Sequence, residues 1–194
     1  MAGKTDITII LATVSIIMIY ILLNIAYCVK LKNFSIIDLL IVAAGFLLRL
    51  VVGGVVSGIA LSHWIIMVTF LCALFIATAK RRDDVVAFEE NGLKHRANIA
   101  RYNSSFMNLL LGIIASVTIV CYIMYTLSDD VMTRMGSKHI YFTGIFVLAG
   151  IIRYLQLTIV DHKSGNPIKV VSQDTFLQLC IAGWIVSFFI LIYL

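Results

Sequence analysis

The sequence is poor in charged residues and in proline. Only 13% of its 194 residues are Asp, Glu, Lys or Arg, and Pro167 is its single proline. A soluble domain usually carries about 25% charged residues. Hydrophobic residues make up 61% of the chain. This composition excludes an ordinary soluble domain and indicates a membrane protein.

Paired cysteines and histidines at ligand spacing are also missing. The four cysteines each lie alone in an apolar run, and the four histidines are scattered near helix ends. Disulfide frameworks and zinc sites need close, regular spacings of these residues. The sequence therefore argues against both. The net charge of +5 does not indicate nucleic-acid binding, because the basic residues lie at the edges of apolar runs.

Six apolar runs are long enough to cross a bilayer, which takes about 20 helical residues for ~30 Å of hydrocarbon. They cover residues 7–29, 36–57, 61–79, 106–127, 140–156 and 176–194. No segment shows the period-two alternation of a barrel strand. We therefore predict an all-α, polytopic integral membrane bundle of six transmembrane helices, forming one membrane domain over residues 1–194.

The basic residues predict the orientation of this bundle. If the helices alternate, eleven of the 15 Lys and Arg residues lie on one side, three lie on the other, and Arg49 lies within a span. The positive-inside rule places the basic loops in the cytoplasm of a multi-pass cell-membrane protein. Both termini then lie outside, which an odd number of preceding helices would explain. We therefore expect a fragment of a longer protein.

Residues 80–91 hold three basic and four acidic side chains between two long apolar runs. Such a cluster costs little at a membrane surface and much inside the bilayer. It marks where the chain leaves the lipid and where polar chemistry can occur. Residues 83–90 are predicted to form two helical turns ended by Asn91-Gly92, since glycine often ends a helix, within a loop long enough to act as a lid.

Several polar or small residues have structural explanations. Ser35 and Asp38 have the spacing of a capping box at the start of the second helix. Gly54 and Gly58, with further glycines nearby, indicate close helix packing. Arg49 lies midway along the same helix, where a charge is costly. We expect it to face a water-filled or anionic cavity.

Lys80 and Arg81 each have a helical pair spacing to Asp84. A surface ion pair therefore explains this group as well as a binding site does. Both interpretations stay open from the spacing alone.

Short motifs follow one another along the whole chain. They are residues 27–33, 45–49, 53–54 and 61–64; Lys80-Arg81 with Asp84; Arg96 with Ile99 and Tyr102; and Arg153, Gly165, Pro167, Asp174 and Gln178. In this order they resemble the UbiA superfamily of intramembrane prenyltransferases. The resemblance is closest to its decaprenyl-phosphate phosphoribosyltransferase branch.

The resemblance implies nine helices around a central cavity that opens to the cytoplasm. It implies Mg²⁺-dependent transfer of phosphoribose from phosphoribosyl diphosphate to a polyprenyl phosphate in the lipid bilayer. Each candidate residue then has a task. Lys80, Arg81, Arg49 and Arg96 would form an anion clamp, Asp84 with Asp83 would bind Mg²⁺, Tyr102 would position the sugar or phosphate, and Lys32 would meet an anionic head group.

The chain departs from this family in its first part. The family's first acidic motif, Asn-Asp-x-x-Asp, is absent, and alignment from the C-terminus leaves three helices missing before residue 7. A separately encoded N-terminal portion or a homo-oligomer would complete the bundle. Whether the chain is active alone therefore stays open.

Three alternatives also stay open. A prenyl-diphosphate donor would call for a second Asp-x-x-x-Asp motif, but Asp83 is followed at that spacing by Ala87 and Asp84 by Phe88. A non-catalytic membrane remnant would have no activity. A six-helix transporter or lipid-binding subunit would use Arg49 and the glycines to line a pathway.

Overall fold

The computed structural model describes residues 2–92, 99–161 and 167–193, and every regular element within these ranges is helical. The α-helices are α1 (Ala2–Val29), α2 (Ile37–Ser57), α3 (His63–Asn91), α4 (Ser104–Thr126), α5 (Asp129–Met135), α6 (Gly144–Ile159), α7 (Pro167–Gln173) and α8 (Thr175–Tyr193). Short 3-10 turns lie at Leu31–Asn33, Ile99–Arg101 and Ile140–Thr143. The described part of the chain confirms the predicted all-α class.

Six of these helices are long and apolar enough to cross a membrane. They are α1, α2, α3, α4, α6 with the turn before it, and α8. This confirms the prediction of six spans in a polytopic bundle. We call the end at which α1 finishes and α2 begins the basic end, because most Lys and Arg residues lie there.

The third helix is longer than its apolar run predicts. It begins after Ser62, whose side chain accepts a hydrogen bond from the Ile65 N–H, and it ends at Gly92 with φ 67°. Its 29 residues correspond to about 43 Å, whereas the hydrocarbon layer is ~30 Å thick. The charged residues 80–91 therefore continue α3 beyond the lipid at the basic end. They form no separate loop helix, although the predicted stop at Gly92 is confirmed.

Helix α3 lies in the middle of the packing. It packs against α2 and α4, while α1 packs on α2, and α6 packs on α4 and α8. The largest buried cluster joins α3, α4, α6 and α8 through side chains such as Phe75, Leu111, Leu157 and Leu177. The core thus lies between the last four spans, and α1 is the most peripheral helix.

The start of α2 differs from the predicted capping box. Ile36 is the N-cap residue, with φ 68° and no side-chain cap hydrogen bond, and the Ser35 hydroxyl is buried without a hydrogen-bond partner. The capping-box prediction is wrong because the Asp38 side chain is turned toward α3.

Two glycines of α2 have different tasks. A Cβ on Gly54 would lie 2.8 Å from the Leu61 Cγ, so this position does require close packing. Gly58 instead ends α2 in the left-handed conformation at φ 66°, which a residue without Cβ adopts readily. The predicted packing role is therefore wrong for Gly58.

Candidate functional site

A buried arginine bound by two carboxylates lies at the basic end. The Arg81 Nη2 is 2.7 Å from the Asp38 Oδ2, and the Arg81 Nη1 donates to the Asp84 Oδ2 at 2.6 Å. The side chains of Arg81 and Asp38 are 6% and 0% exposed, and that of Asp84 is 23% exposed. Buried charges are stable only when paired in this way. Asp84 is therefore the residue of the cluster that is most accessible to solvent.

The helix order explains why these three residues meet. The short connection after Gly58 makes α2 and α3 antiparallel neighbours, so the start of α2 lies beside the charged part of α3. Arg81 and Asp84 are three residues apart on α3 and share one side of that helix. Asp38 lies in the first turn of α2, where the helix dipole favours a negative charge.

Tyr102 connects this cluster to the residues that precede α4. Its hydroxyl accepts a hydrogen bond from the Ile36 N–H and donates a long one, 3.4 Å, to the Asp38 Oδ1. Burial raises the pKa of the Tyr102 phenol above its ordinary value. The phenol therefore stays protonated at neutral pH and keeps its ability to donate.

The backbone at Ile36 is strained where it meets Tyr102. A positive φ of 68° is an outlier for a β-branched residue, at a cost of about 1–3 kcal/mol. Strain of this kind persists only where surrounding contacts enforce it, and it often accompanies functional sites. The hydrogen bond to Tyr102 is one such contact.

The other predicted residues of α3 and its surroundings are more exposed. Lys80 is exposed beside Arg81, and Lys32 is exposed in the turn before α2. Asp83 pairs with Arg82 at 3.7 Å rather than with Arg81. Arg96 lies outside the described residues. Of the predicted set, the structure therefore brings Arg81, Asp84 and Tyr102 together.

Sequence reasoning missed two buried residues of this region. It assigned Asp38 to a cap, and it counted Arg82 only as a positive charge. Arg82 donates to the Asn108 Oδ1 at 2.8 Å and to the Thr158 carbonyl at 2.7 Å. It thereby satisfies a free carbonyl at the C-terminal end of α6 and ties α3 to α4 and α6.

Arg49 lies apart from the Arg81 cluster. Its Nη2 donates to the Tyr20 hydroxyl at 2.6 Å, and its guanidinium lies over the rings of Tyr20 and Phe46. These contacts place it in a groove between α1 and α2 with a cavity of about 120 Å³. Eleven residues separate it from Asp38 along α2, which corresponds to about 16 Å. The groove has polar and apolar side chains and no carboxylate among its described lining, and the structure does not place Arg49 in one clamp with Arg81.

The resemblance also pointed to Arg153 and Asp174, which form an ion pair at the basic end. Two guanidinium nitrogens of Arg153 donate to the Asp174 Oδ2, at 2.7 and 3.1 Å. These hydrogen bonds hold the pKa of Asp174 below its ordinary value. The other oxygen of Asp174 accepts from the Leu177 N–H and so caps the first turn of α8. This pair positions α8 on α6.

Metal binding by protein side chains alone has little support in the described ranges. No group of three or more His, Cys, Asp or Glu residues within them is arranged to hold an ion. Mg²⁺, however, commonly binds through one or two carboxylates together with substrate phosphates and water. Asp84 fits that role because it is partly exposed and uses one oxygen for Arg81. Asp83 directly precedes Asp84 on the helix, and its carboxylate lies beside Arg82 instead.

Two adjoining apolar cavities lie between the last helices. One of about 280 Å³ is lined by residues of α3, α4, α6, α7 and α8, including Phe75, Ile151 and Trp184. The other, a groove of about 620 Å³, runs along α7 and α8. Both are lined almost entirely by apolar side chains, which suits a hydrocarbon chain.

Several relatives found by comparison with known proteins share one name. The chain is 32% identical over 181 residues to the decaprenyl-phosphate phosphoribosyltransferase of Mycolicibacterium smegmatis. It is 26% identical over 183 residues to the protein of the same name from Corynebacterium glutamicum, and 27% identical over 172 residues to that of Mycobacterium tuberculosis. No protein-family model matches the chain. The relatives confirm the resemblance that the motifs indicated.

These matches cover most of the chain but only part of each relative. They take in 89 to 94% of the chain and 55 to 57% of the relatives. The chain thus spans about half the length of the curated relatives it matches.

Proposed function

Because the chain is related over about nine-tenths of its length to curated decaprenyl-phosphate phosphoribosyltransferases, we propose that it carries part of a site that transfers phosphoribose to a polyprenyl phosphate. The donor is phosphoribosyl diphosphate. The observation that carries the proposal is Arg81, buried between Asp38 and Asp84 at the basic end. It lies in the Lys80-Arg81-x-x-Asp84 motif of the family.

The chemistry requires cations around the leaving group. Transfer from phosphoribosyl diphosphate expels diphosphate as positive charge develops at the sugar carbon. Preorganised cations that neutralise the leaving group are a large source of rate enhancement. Arg81 is such a cation because Asp38 holds its Nη2 in place, and exposed Lys80 adds a second charge beside it.

Asp84 links the protein to the metal in this proposal. When bound, Mg²⁺ would neutralise diphosphate oxygens. Asp84 would hold it directly, and Asp83 would contribute through water. Arg81 Nη1, which is bonded to Asp84 in this structure, would then turn to a phosphate oxygen while Asp38 keeps hold of Nη2. Asp38 thus prevents the guanidinium from moving away from the site.

The remaining residues act at the edges of the site. The protonated Tyr102 hydroxyl would position the sugar or a phosphate, and Lys32 would meet an anionic head group at the basic end. Arg96, which lies outside the described residues, stays a predicted part of the clamp.

The membrane setting fits these substrates. We propose a multi-pass protein of the cell membrane with its basic end in the cytoplasm, where the water-soluble donor is found. The single membrane domain would supply the later helices of a UbiA-type bundle. The first acidic motif would come from an N-terminal portion or from another copy of the chain.

Transfer assays in membranes test the proposal. Membranes containing this chain, alone and together with the N-terminal part of a relative, receive labelled phosphoribosyl diphosphate and a polyprenyl phosphate. We expect label in the lipid fraction in at least one arrangement. No transfer in either arrangement, or transfer only with a prenyl diphosphate donor, would contradict the proposed reaction.

The variant Arg81→Ala tests the site within that assay. We expect a loss of activity of about 10²–10³-fold, the usual cost of one preorganised group that stabilises charge in the transition state. Arg134→Ala is a matched control, because Arg134 donates to the Ala60 carbonyl in the loop at the opposite end of the bundle. Equal activity of the two variants would reject the role of Arg81.

A further inference from the structure

A second cation, the exposed Arg49, lies in the groove between α1 and α2, farther from the basic end along the helix axis than Arg81. Arg49 is bonded to the Tyr20 hydroxyl and stacked against Tyr20 and Phe46. Among the residues that the structure describes, no carboxylate lies within ion-pair distance of it. An arginine near the middle of a span is costly unless an anion or water meets it. The groove therefore has a positive charge that the described protein does not neutralise.

The groove is polar on both helices although both are membrane spans. Tyr20, Asn24 and Tyr27 are spaced so that they lie on one side of α1, and all three line the cavity. Gly45 lies opposite them on α2, where the ring of Tyr20 comes within 3.7 Å of the position of a Cβ. Hydroxyl, amide and guanidinium groups are the groups that bind phosphate oxygens in proteins. The cavity of about 120 Å³ is open to the surface of the described bundle.

The direction of Arg49 relates this groove to the Arg81 cluster. Its guanidinium lies over the ring of Phe46, three residues earlier, so the side chain leans toward the start of α2, as helical side chains do. Asp38 and Arg49 are eleven residues apart, which places them within about 20° on one side of α2. The guanidinium, at the level of Phe46, is then about 12 Å along α2 from Asp38.

This spacing suits the two anions that take part in a displacement at a sugar carbon, the leaving diphosphate and the attacking phosphate. The leaving diphosphate lies on one side of the carbon and the attacking phosphate on the other, with reacting atoms about 3–3.5 Å apart before reaction. Two cations that bind these two anions must therefore be separated by roughly the distance from the attacking phosphate, across the sugar carbon, to the leaving diphosphate. One cation must lie on the membrane side, from which a lipid arrives.

We propose that the groove between α1 and α2 binds the phosphate of an isoprenoid lipid monophosphate, the acceptor of the transfer, while Arg81 holds the leaving diphosphate; this assignment rests on the proposed function. An oxygen of the lipid phosphate forms the new bond to the sugar carbon. The bond from that carbon to the diphosphate breaks, and its electron pair leaves with the diphosphate. No oxidant is needed, and no proton has to move, because a phosphate monoester is largely a dianion at neutral pH.

Binding measurements on the purified chain in nanodiscs test the assignment without requiring turnover. The probes are farnesyl phosphate, farnesol, inorganic phosphate, and inorganic diphosphate with Mg²⁺. We expect Arg49→Gln to weaken farnesyl phosphate binding about tenfold or more and to leave diphosphate binding unchanged. Arg81→Gln should do the reverse, and Arg134→Gln, at the opposite end of the bundle, should change neither.

Tyr20→Phe gives a second, milder variant. It keeps the ring beneath the guanidinium and removes only the 2.6 Å hydrogen bond, so we expect a smaller loss of farnesyl phosphate affinity, about threefold to tenfold. This variant preserves the charge of Arg49 and tests the groove even if Arg49→Gln does not fold.

The remaining outcomes would overturn the assignment. Farnesol binding as tightly as farnesyl phosphate would exclude a phosphate site, and equally tight binding of inorganic phosphate would exclude a lipid source. Loss of both ligands in Arg49→Gln, with a folded Tyr20→Phe unaffected, would also overturn it. By contrast, Arg49-dependent binding in membranes that transfer no phosphoribose would overturn the proposed function and leave the lipid phosphate site in place.

Discussion

Individual residues of the site were only partly predictable from the sequence. Arg81, Asp84 and Tyr102, which lie together in the structure, were predicted as a group because they stand in motifs of the family that the chain resembles. Asp38 could not, because a capping box explains it locally and its partner Arg81 is 43 positions away along the chain. A buried charge pair between two helices leaves no local pattern. The one sequence signal for Asp38 was that it lies on the same side of α2 as Arg49, the other charged residue of that helix.

The ion pair between Asp38 and Arg81 makes a prediction at this scale. Asp38→Asn leaves Arg81 buried with one carboxylate fewer, and breaking a buried pair in this way costs about 3–5 kcal/mol. We expect a correspondingly lower unfolding midpoint for the purified protein in detergent.

Ser35→Ala is the control for that variant. The Ser35 hydroxyl is buried without a hydrogen-bond partner, so its removal should be close to neutral. A capping box would give the opposite ranking, with a clear loss in Ser35→Ala and a small one in Asp38→Asn.

At the scale of helices, apolar run length predicted the six spans found among the described residues, but it misplaced the end of α3. The prediction ended this helix at residue 79, where charged residues begin, whereas the helix continues to Asn91. Hydropathy reports where lipid ends and not where helical hydrogen bonding ends. The continuation is stabilised by tertiary contacts, since Val85 is fully buried in a cluster with Ile99 and Met107, and Arg82 binds α4 and α6.

The contact between α6 and α8 makes a prediction at this scale. A Cβ on Gly183 would lie 2.5 Å from the Phe146 Cε1, so Gly183→Ala should force the two helices apart at a cost of about 1–3 kcal/mol. Gly112→Ala on α4 is the matched control, because nothing lies within 4 Å of its added Cβ. There the gain in helix propensity of about 0.5–1 kcal/mol should prevail. Unfolding midpoints that fall equally in both variants would contradict this packing.

For the whole molecule, composition was enough to predict the fold class. It was not enough to predict which helices pack against each other. Charge content and six apolar runs predicted a polytopic helical bundle, which the structure confirms. The groove between α1 and α2 depends on which sides of the two helices meet. Residues such as Tyr20 and Gly45 determine which sides pack together, and hydropathy alone does not separate them from others on the same helices.

The length of α3 couples the site to the thickness of the bilayer. Helix α3 carries Arg81 and Asp84 on the same continuous rod that crosses the lipid, so a thicker membrane draws these charges toward the acyl chains or tilts the whole bundle. We expect the affinity for inorganic diphosphate to fall when nanodiscs of short-chain phosphatidylcholine are replaced by long-chain ones. An affinity that is the same in both would show that residues 80–91 of α3 adjust their depth independently of the lipid. With a rigid α3, by contrast, the acyl-chain length of the membrane determines how tightly this end of the chain binds diphosphate.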